Sequence, residues 1–146
     1  INLAYPKKKL SFIELNKKAF DICLENKNID QSFNSSIESC KIKDNKFDLV
    51  FTSGVLIHIN DINLKKVINN IINWSKKYIL ILEYFSTEDI QKKYRGKKDL
   101  LFLRDYGEKF LKTRRVKLVN CGFFYSKIYK KAGFDNITFW LFKKTR

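Results

Sequence analysis

Methionine is absent from this 146-residue chain, histidine and proline occur once each, and glycine occurs five times, first at position 54. With one histidine and three widely spaced cysteines (Cys23, Cys40, Cys121), neither a structural metal site nor a disulfide framework is expected. Long apolar runs are lacking too. The longest, Tyr78 to Leu82, falls far short of the about 20 residues that cross a bilayer. No basic-then-apolar segment opens the chain, so no secretory signal is read and a cytoplasmic protein is expected. A chain that starts at Ile1 and lacks methionine is expected to be a piece of a longer product.

What is present points to one folded domain over 1–146. Hydrophobic residues make up 45% and charged residues 31%, which fits neither a disordered nor a membrane chain. Lys, Asn and Ile together supply 55 residues, a bias that inflates lysine without reference to function. Charge position is therefore more informative than the total of +15. Residues 1–60 carry a net +2 and residues 61–90 a net of zero. Residues 91–146 carry +13 and all five arginines, so an anionic ligand or surface is expected to meet the C-terminal third.

Lys9 to Leu15 (KLSFIEL) reads as a strand and Lys17 to Glu25 as a helix with Phe20, Cys23 and Leu24 at helical spacing. Phe47 to Phe51 (FDLVF), ending in Thr52-Ser53-Gly54, has the pattern of a buried parallel strand entering a loop. Leu64, Val67, Ile68, Ile71 and Ile72 fall at i, i+3, i+4, i+7 and i+8, which makes Asp61 to Trp74 an amphipathic helix with Asp61 as its N-cap. Tyr78 to Glu83 (YILILE) is a second apolar strand, approached through Ser75-Lys76-Lys77. Ser86 to Leu103 is polar and basic and reads as a long loop or insertion with partial helix. After a helical Tyr106 to Lys112, two aromatic-rich strands, Val116 to Tyr125 and Ile137 to Lys143, close the chain around a basic connection with Gly133. The expected fold is α/β, a mostly parallel sheet with an antiparallel C-terminal hairpin.

Ligands of such sheets sit outside the carboxyl ends of the strands, which here are Glu14, Thr52-Ser53-Gly54 and Glu83-Tyr84-Phe85. A carboxylate after the second strand suits the two ribose hydroxyls of a nucleotide cofactor, and it equally suits a solvated loop. Gly54 permits close backbone approach to a ligand, or serves a turn.

FDLVFTSGVLIHIN (Phe47–Asn60) resembles the fourth-strand segment of class I S-adenosylmethionine-dependent methyltransferases. More narrowly, it is similar to the pseudaminic acid biosynthesis-associated methylase family, whose members read much like FDLVFTKGVLIHINP there. The likeness continues through LILEYF (Leu80–Phe85), YRG (Tyr94–Gly96), LFLRDY (Leu101–Tyr106), LVNCGFFY (Leu118–Tyr125) and FDNITFWLFKK (Phe134–Lys144). The resemblance implies a Rossmann-like fold, S-adenosylmethionine as cofactor, and methyl transfer to a sugar or nucleotide-sugar acceptor. Carried onto these positions, it implies that Glu14 with Asn16 contacts the ribose, Ser36 and Ile37 flank the adenine, and Ser53 and Gly54 line the methionine moiety. Glu83, Tyr84 and Phe85 would face the acceptor, with Tyr94, Arg95, Arg104 and Asp105 closing its pocket. The glycine-rich first βα turn of such folds has no counterpart before Gly54. The resemblance therefore implies a first βα unit that is missing or incomplete here, and weak or absent cofactor binding by this chain alone.

His58 has two readings, a general base near the transferred methyl or a helix-start histidine bonded to backbone or the neighbouring loop. Arg95 and Arg104 could pair in bidentate fashion with an anionic acceptor such as a nonulosonic acid; Arg104 and Asp105 could equally form only a surface ion pair. Two other functions fit the same chain. The basic C-terminal third, interleaved with Tyr94, Tyr106, Tyr125 and Tyr129, could serve a nucleic-acid methyltransferase. An inactive methyltransferase-like fragment could act as an interaction domain.

Overall fold

The computed structural model describes residues 9–25, 28–94, 96–128 and 135–145. The sequence expectation of one domain over 1–146 meets a chain that divides into two compact units, Ile1–Lys41 and Ile42–Arg146.

The first unit is a strand–helix–strand motif. Strand β1 (Leu10–Ile13) and strand β2 (Ile29–Phe33) pair in parallel through helix α1 (Lys17–Leu24). Asn16 starts α1: its Oδ1 accepts the Ala19 N–H at 3.1 Å, satisfying one of the unpaired amides of the first turn. Phe20, the buried residue of α1, packs its ring 5.3 Å from that of Phe12 on β1. Strand β2 has no clear sequence signal, because Ile29-Asp30-Gln31-Ser32-Phe33 is polar at its three central positions.

The second unit is built on a four-stranded sheet ordered β3-β4-β8-β7. Its strands are β3 (Phe47–Ser53), β4 (Ser75–Glu83), β7 (Val116–Phe124) and β8 (Ile137–Lys144). Strands β3 and β4 are parallel, joined by helix α2 (Asp61–Trp74). Strand β8 runs antiparallel to both β4 and β7, so the C-terminal strands form the expected antiparallel hairpin, with β8 inside and β7 at the edge. The core lies where α2 meets this sheet. Leu64, Val67, Ile68, Ile71 and Ile72 are buried, as their spacing requires, beside Ile79 and Ile81 of β4. Phe142 of β8 is fully buried and stacks on Phe110 of helix α3 (Tyr106–Leu111), with ring centroids 5.3 Å apart.

Three sequence expectations are corrected. Asn60, not Asp61, caps α2: its Oδ1 accepts the Asn63 N–H at 3.0 Å, and Asp61 opens the first turn. Ser75-Lys76-Lys77 is part of β4, which begins directly after α2; the buried Ser75 Oγ donates to Tyr78 O at 2.9 Å at the start of the strand. The segment read as a long loop contains an antiparallel hairpin, β5 (Ile90–Tyr94) and β6 (Lys97–Leu103). Gly96, at φ +76°, supplies the left-handed residue that its tight turn needs. Gly133 and the basic connection around it lie outside the described residues.

Candidate functional site

In the second unit, the carboxyl ends of β3 and β4 converge on one turn. Gly54 N donates to Leu82 O at 2.9 Å, extending the β3–β4 ladder by one residue before the chain leaves the sheet. Gly54 then adopts φ +63°, and a Cβ built on it would meet nothing within 4 Å. The left-handed backbone favours glycine here, and open space lies beside it. A 3-10 turn, Leu56–His58, follows and feeds the Asn60 cap of α2.

Glu83, the last residue of β4, is fully buried beneath this turn. Its Oε1 accepts the Val55 N–H at 3.1 Å and its Oε2 the Ile57 N–H at 3.3 Å. Burial pushes its carboxyl up from the ordinary value of 4.5, against the downward pull of the turn amides. The folded state thus holds this proton to a higher pH than the unfolded state does. The contribution is fully present below 4.5 and is lost as pH rises through the folded value. Relative to Glu83→Gln, the wild-type chain is therefore expected to lose stability as pH rises from 4.5 through neutrality. Paired thermal unfolding across that range checks it; a wild type that gains instead would mean that the amides outweigh burial.

Arg104 lies at the foot of β6 and is 1% exposed. Its Nη1 donates to Ile59 O at 3.0 Å and to Tyr106 Oη at 3.3 Å. Its Nη2 donates to Asp61 Oδ1 at 2.6 Å, and the guanidinium lies 4.3 Å from the centre of the Phe102 ring. Tyr106, also fully buried, donates its hydroxyl to Phe102 O at 2.8 Å. Burial pushes that phenol up to about 12, against the pull of Arg104. Arg104 thus pairs with Asp61 rather than with Asp105, whose Oδ1 accepts the Glu108 N–H at 2.8 Å and caps α3.

The remaining expected site residues are placed as follows. His58 is exposed, and its Nδ1–H donates to Leu100 O of the hairpin at 2.6 Å. Phe85 forms a parallel bridge with Arg104 and sets its ring 6.1 Å from Trp140. Tyr84 donates its hydroxyl to Asp135 Oδ2 at 2.7 Å. Ser53 is exposed at the end of β3, and Tyr94 ends β5. Arg95 lies outside the described residues. In the first unit, Glu14 is half-buried just past β1, and its Oε1 accepts the Asn16 N–H at 2.7 Å. Ser36 and Ile37 lie in the turn after β2, where Ser36 O accepts the amides of Ser39 and Cys40.

The structure therefore gathers Gly54, His58, Glu83, Phe85 and Arg104 around one turn of the second unit. Sequence reasoning missed the residues that bind them: Val55, Ile57, Ile59, Asp61 and Leu100. Asp61 and Arg104 stand 43 positions apart, and nothing in composition or spacing marks them as partners. Among the described residues, no group of three or more His, Cys, Asp or Glu could hold a metal ion, and no helix is long and apolar enough to cross a membrane.

Parallel strands joined through helices, closed by an antiparallel C-terminal pair, give the α/β fold of class I methyltransferases. Solved structures share it. A SAM-dependent methyltransferase from Leishmania major superposes with a TM-score of 0.72 at 14% identity, over 92% of this chain and 55% of that one. This chain thus spans about half the length of that protein. A SAM-dependent methyltransferase from Methanosarcina mazei matches at a TM-score of 0.71 and 12% identity, over 98% of this chain and 85% of its own. The 1,6-didemethyltoxoflavin-N1-methyltransferase of Burkholderia thailandensis, solved with 1,6-didemethyltoxoflavin and S-adenosylhomocysteine, matches at 0.71 and 12%, over 93% and 61% of the two chains. No family model matches the chain. No curated protein matches it either.

Proposed function

We propose that the chain is the body of an S-adenosylmethionine-dependent methyltransferase acting on an anionic small molecule, a sugar or nucleotide-sugar of the pseudaminic (nonulosonic) acid type. The observation that carries this reading is the turn after β3. It combines a left-handed Gly54 with open space beside it, at the carboxyl end of a parallel strand in a fold shared with methyltransferases. The net +13 of residues 91–146 supports an acceptor bearing carboxylate or phosphate.

The donor supplies a sulfonium methyl, which the acceptor oxygen or nitrogen attacks in line as the carbon–sulfur bond breaks. This chemistry asks the protein mainly for alignment and exclusion of water. The Ser53–Gly54 backbone would lie along the methionine moiety, in the space that a side chain at position 54 would enter. Phe85 would supply an apolar wall for the acceptor, being 44% exposed beside Arg104.

The charge of the C-terminal third also favours a second reading, a nucleic-acid acceptor. Both readings are tested by titrating the isotopically labelled chain with S-adenosylhomocysteine, then adding either an anionic nucleotide-sugar or an RNA oligomer. The proposal expects shifts at Ser53 and Gly54 with the first ligand and further shifts with the nucleotide-sugar. Salt-dependent RNA binding already strong at about 50 mM salt would favour the second reading instead.

A further inference from the structure

The turn between β3 and α2 is held from two sides by ionisable side chains that are both more than nine-tenths buried. Glu83 reaches it from the end of β4 and Arg104 from the end of β6. We propose that Glu83 and Arg104 are positioning residues that together clamp residues 54–61, so that one fixed turn serves both the donor side at Gly54 and the acceptor side at the β5–β6 hairpin. The inference rests on the methyltransferase reading given above.

Hydrogen-bond direction carries the argument. Glu83 takes the amides of Val55 and Ile57, the donors at the start of the 3-10 turn, and so fixes the turn's N-terminal half. Arg104 takes the carbonyl of Ile59 and the carboxylate of Asp61, and so fixes the C-terminal half. Both oxygens of Glu83 face donors and the Arg104 guanidinium faces acceptors, so exchanging the two side chains would satisfy neither half. The hairpin is joined to the same turn by the His58–Leu100 bond, and the Phe85–Arg104 bridge ties its foot to the end of β4. A shift in the turn would therefore move Gly54 and the foot of the hairpin together.

Stability alone does not require this arrangement. Buried charges can often be exchanged for well-packed apolar groups at no loss, whereas they can specify one conformation among several. Two buried ionisable side chains bonded to a single turn at strand carboxyl ends fit a demand for geometry. Methyl transfer has that demand, since small misplacements of reactants cost large factors in rate.

The test uses the full chain with Glu83→Gln and Arg104→Lys. Gln keeps the shape of Glu83 but presents an NH2 to one of the two amides. Lys keeps the charge of Arg104 but loses its fork. Amide exchange at Val55 and Ile57 is expected to accelerate roughly tenfold in Glu83→Gln, and the affinity for S-adenosylhomocysteine to fall roughly tenfold in both variants. Unfolding midpoints and dispersed spectra confirm that each variant is folded; if Arg104→Lys is not, Glu83→Gln carries the test. A wild-type chain that ignores S-adenosylhomocysteine overturns the methyltransferase reading and this inference with it. A wild type that binds, with folded variants of equal affinity, overturns the clamp alone.

Discussion

Phe142→Ala is expected to destabilise the second unit by about 3–5 kcal/mol, enough to threaten folding of the whole chain. Phe142 is fully buried on β8, the inner strand that pairs with both β4 and β7. Its ring stacks on the equally buried Phe110 at a centroid distance of 5.3 Å and an interplanar angle of 17°. Truncation removes the apolar transfer term and leaves a cavity bounded by a sheet and a helix, neither free to collapse into it. Phe142→Leu, which retains most of the volume, should cost less than half as much. Urea unfolding of the three proteins measures this. A loss below about 1 kcal/mol in the alanine variant would mean that the α3–β8 contact is not part of the core.

Gly107→Ala is expected to destabilise, against the helix propensity of alanine. In an exposed helix the exchange gains about 1 kcal/mol. Here a Cβ at position 107 would stand 2.3 Å from Nε1 and 2.5 Å from Cδ1 of Trp140. Trp140 is 7% exposed on β8 and cannot swing away without breaking the packing around it. Overpacking of this kind costs about 1–3 kcal/mol, and a 2.3 Å contact belongs at the upper end, so steric conflict exceeds propensity and the net change is a loss of up to about 2 kcal/mol. A paired Trp140→Leu change should recover part of it. The unfolding midpoint of the single variant decides the sign, and a rise would place α3 farther from β8 than described. Because α3 starts two residues after Arg104, a displaced α3 should also disturb the clamp on the β3–α2 turn.

Elements with strong periodicity are legible in the sequence, because burial itself imposes the period. Leu64, Val67, Ile68, Ile71 and Ile72 occupy one helical stripe and are buried together in α2. Tyr78–Leu82 is apolar throughout because β4 lies inside the sheet, between β3 and β8. Strand β2 escapes sequence reading because Asp30, Gln31 and Ser32 fill its centre, so its strand character comes from pairing with β1. The β5–β6 hairpin escapes for a related reason. Ile90-Gln91-Lys92-Lys93-Tyr94 is exposed from Ile90 to Lys93 and needs no alternation to satisfy a core.

The candidate site is legible by position and not by orientation. Strand-end logic finds Glu83, Gly54 and Phe85. It does not reveal that Glu83 turns back beneath the loop, because that depends on the two amides which the 3-10 turn leaves unpaired. Arg104 was expected to meet an acceptor. The structure gives its guanidinium to Ile59 and Asp61, a long-range pairing with no local signature. The same turn amides and carbonyls that hide these side chains from sequence reading are what make them suited to hold Gly54 in place.

The most direct test of the account is a two-dimensional amide spectrum of the labelled chain, titrated with S-adenosylhomocysteine into the millimolar range. Of the weak or absent binding that the resemblance implies for this chain alone, weak binding is the expected result, and such a titration registers it. The account predicts saturable shifts at Ser53, Gly54 and Val55. A spectrum unchanged throughout, or shifts confined to the basic residues of 91–146, would contradict it.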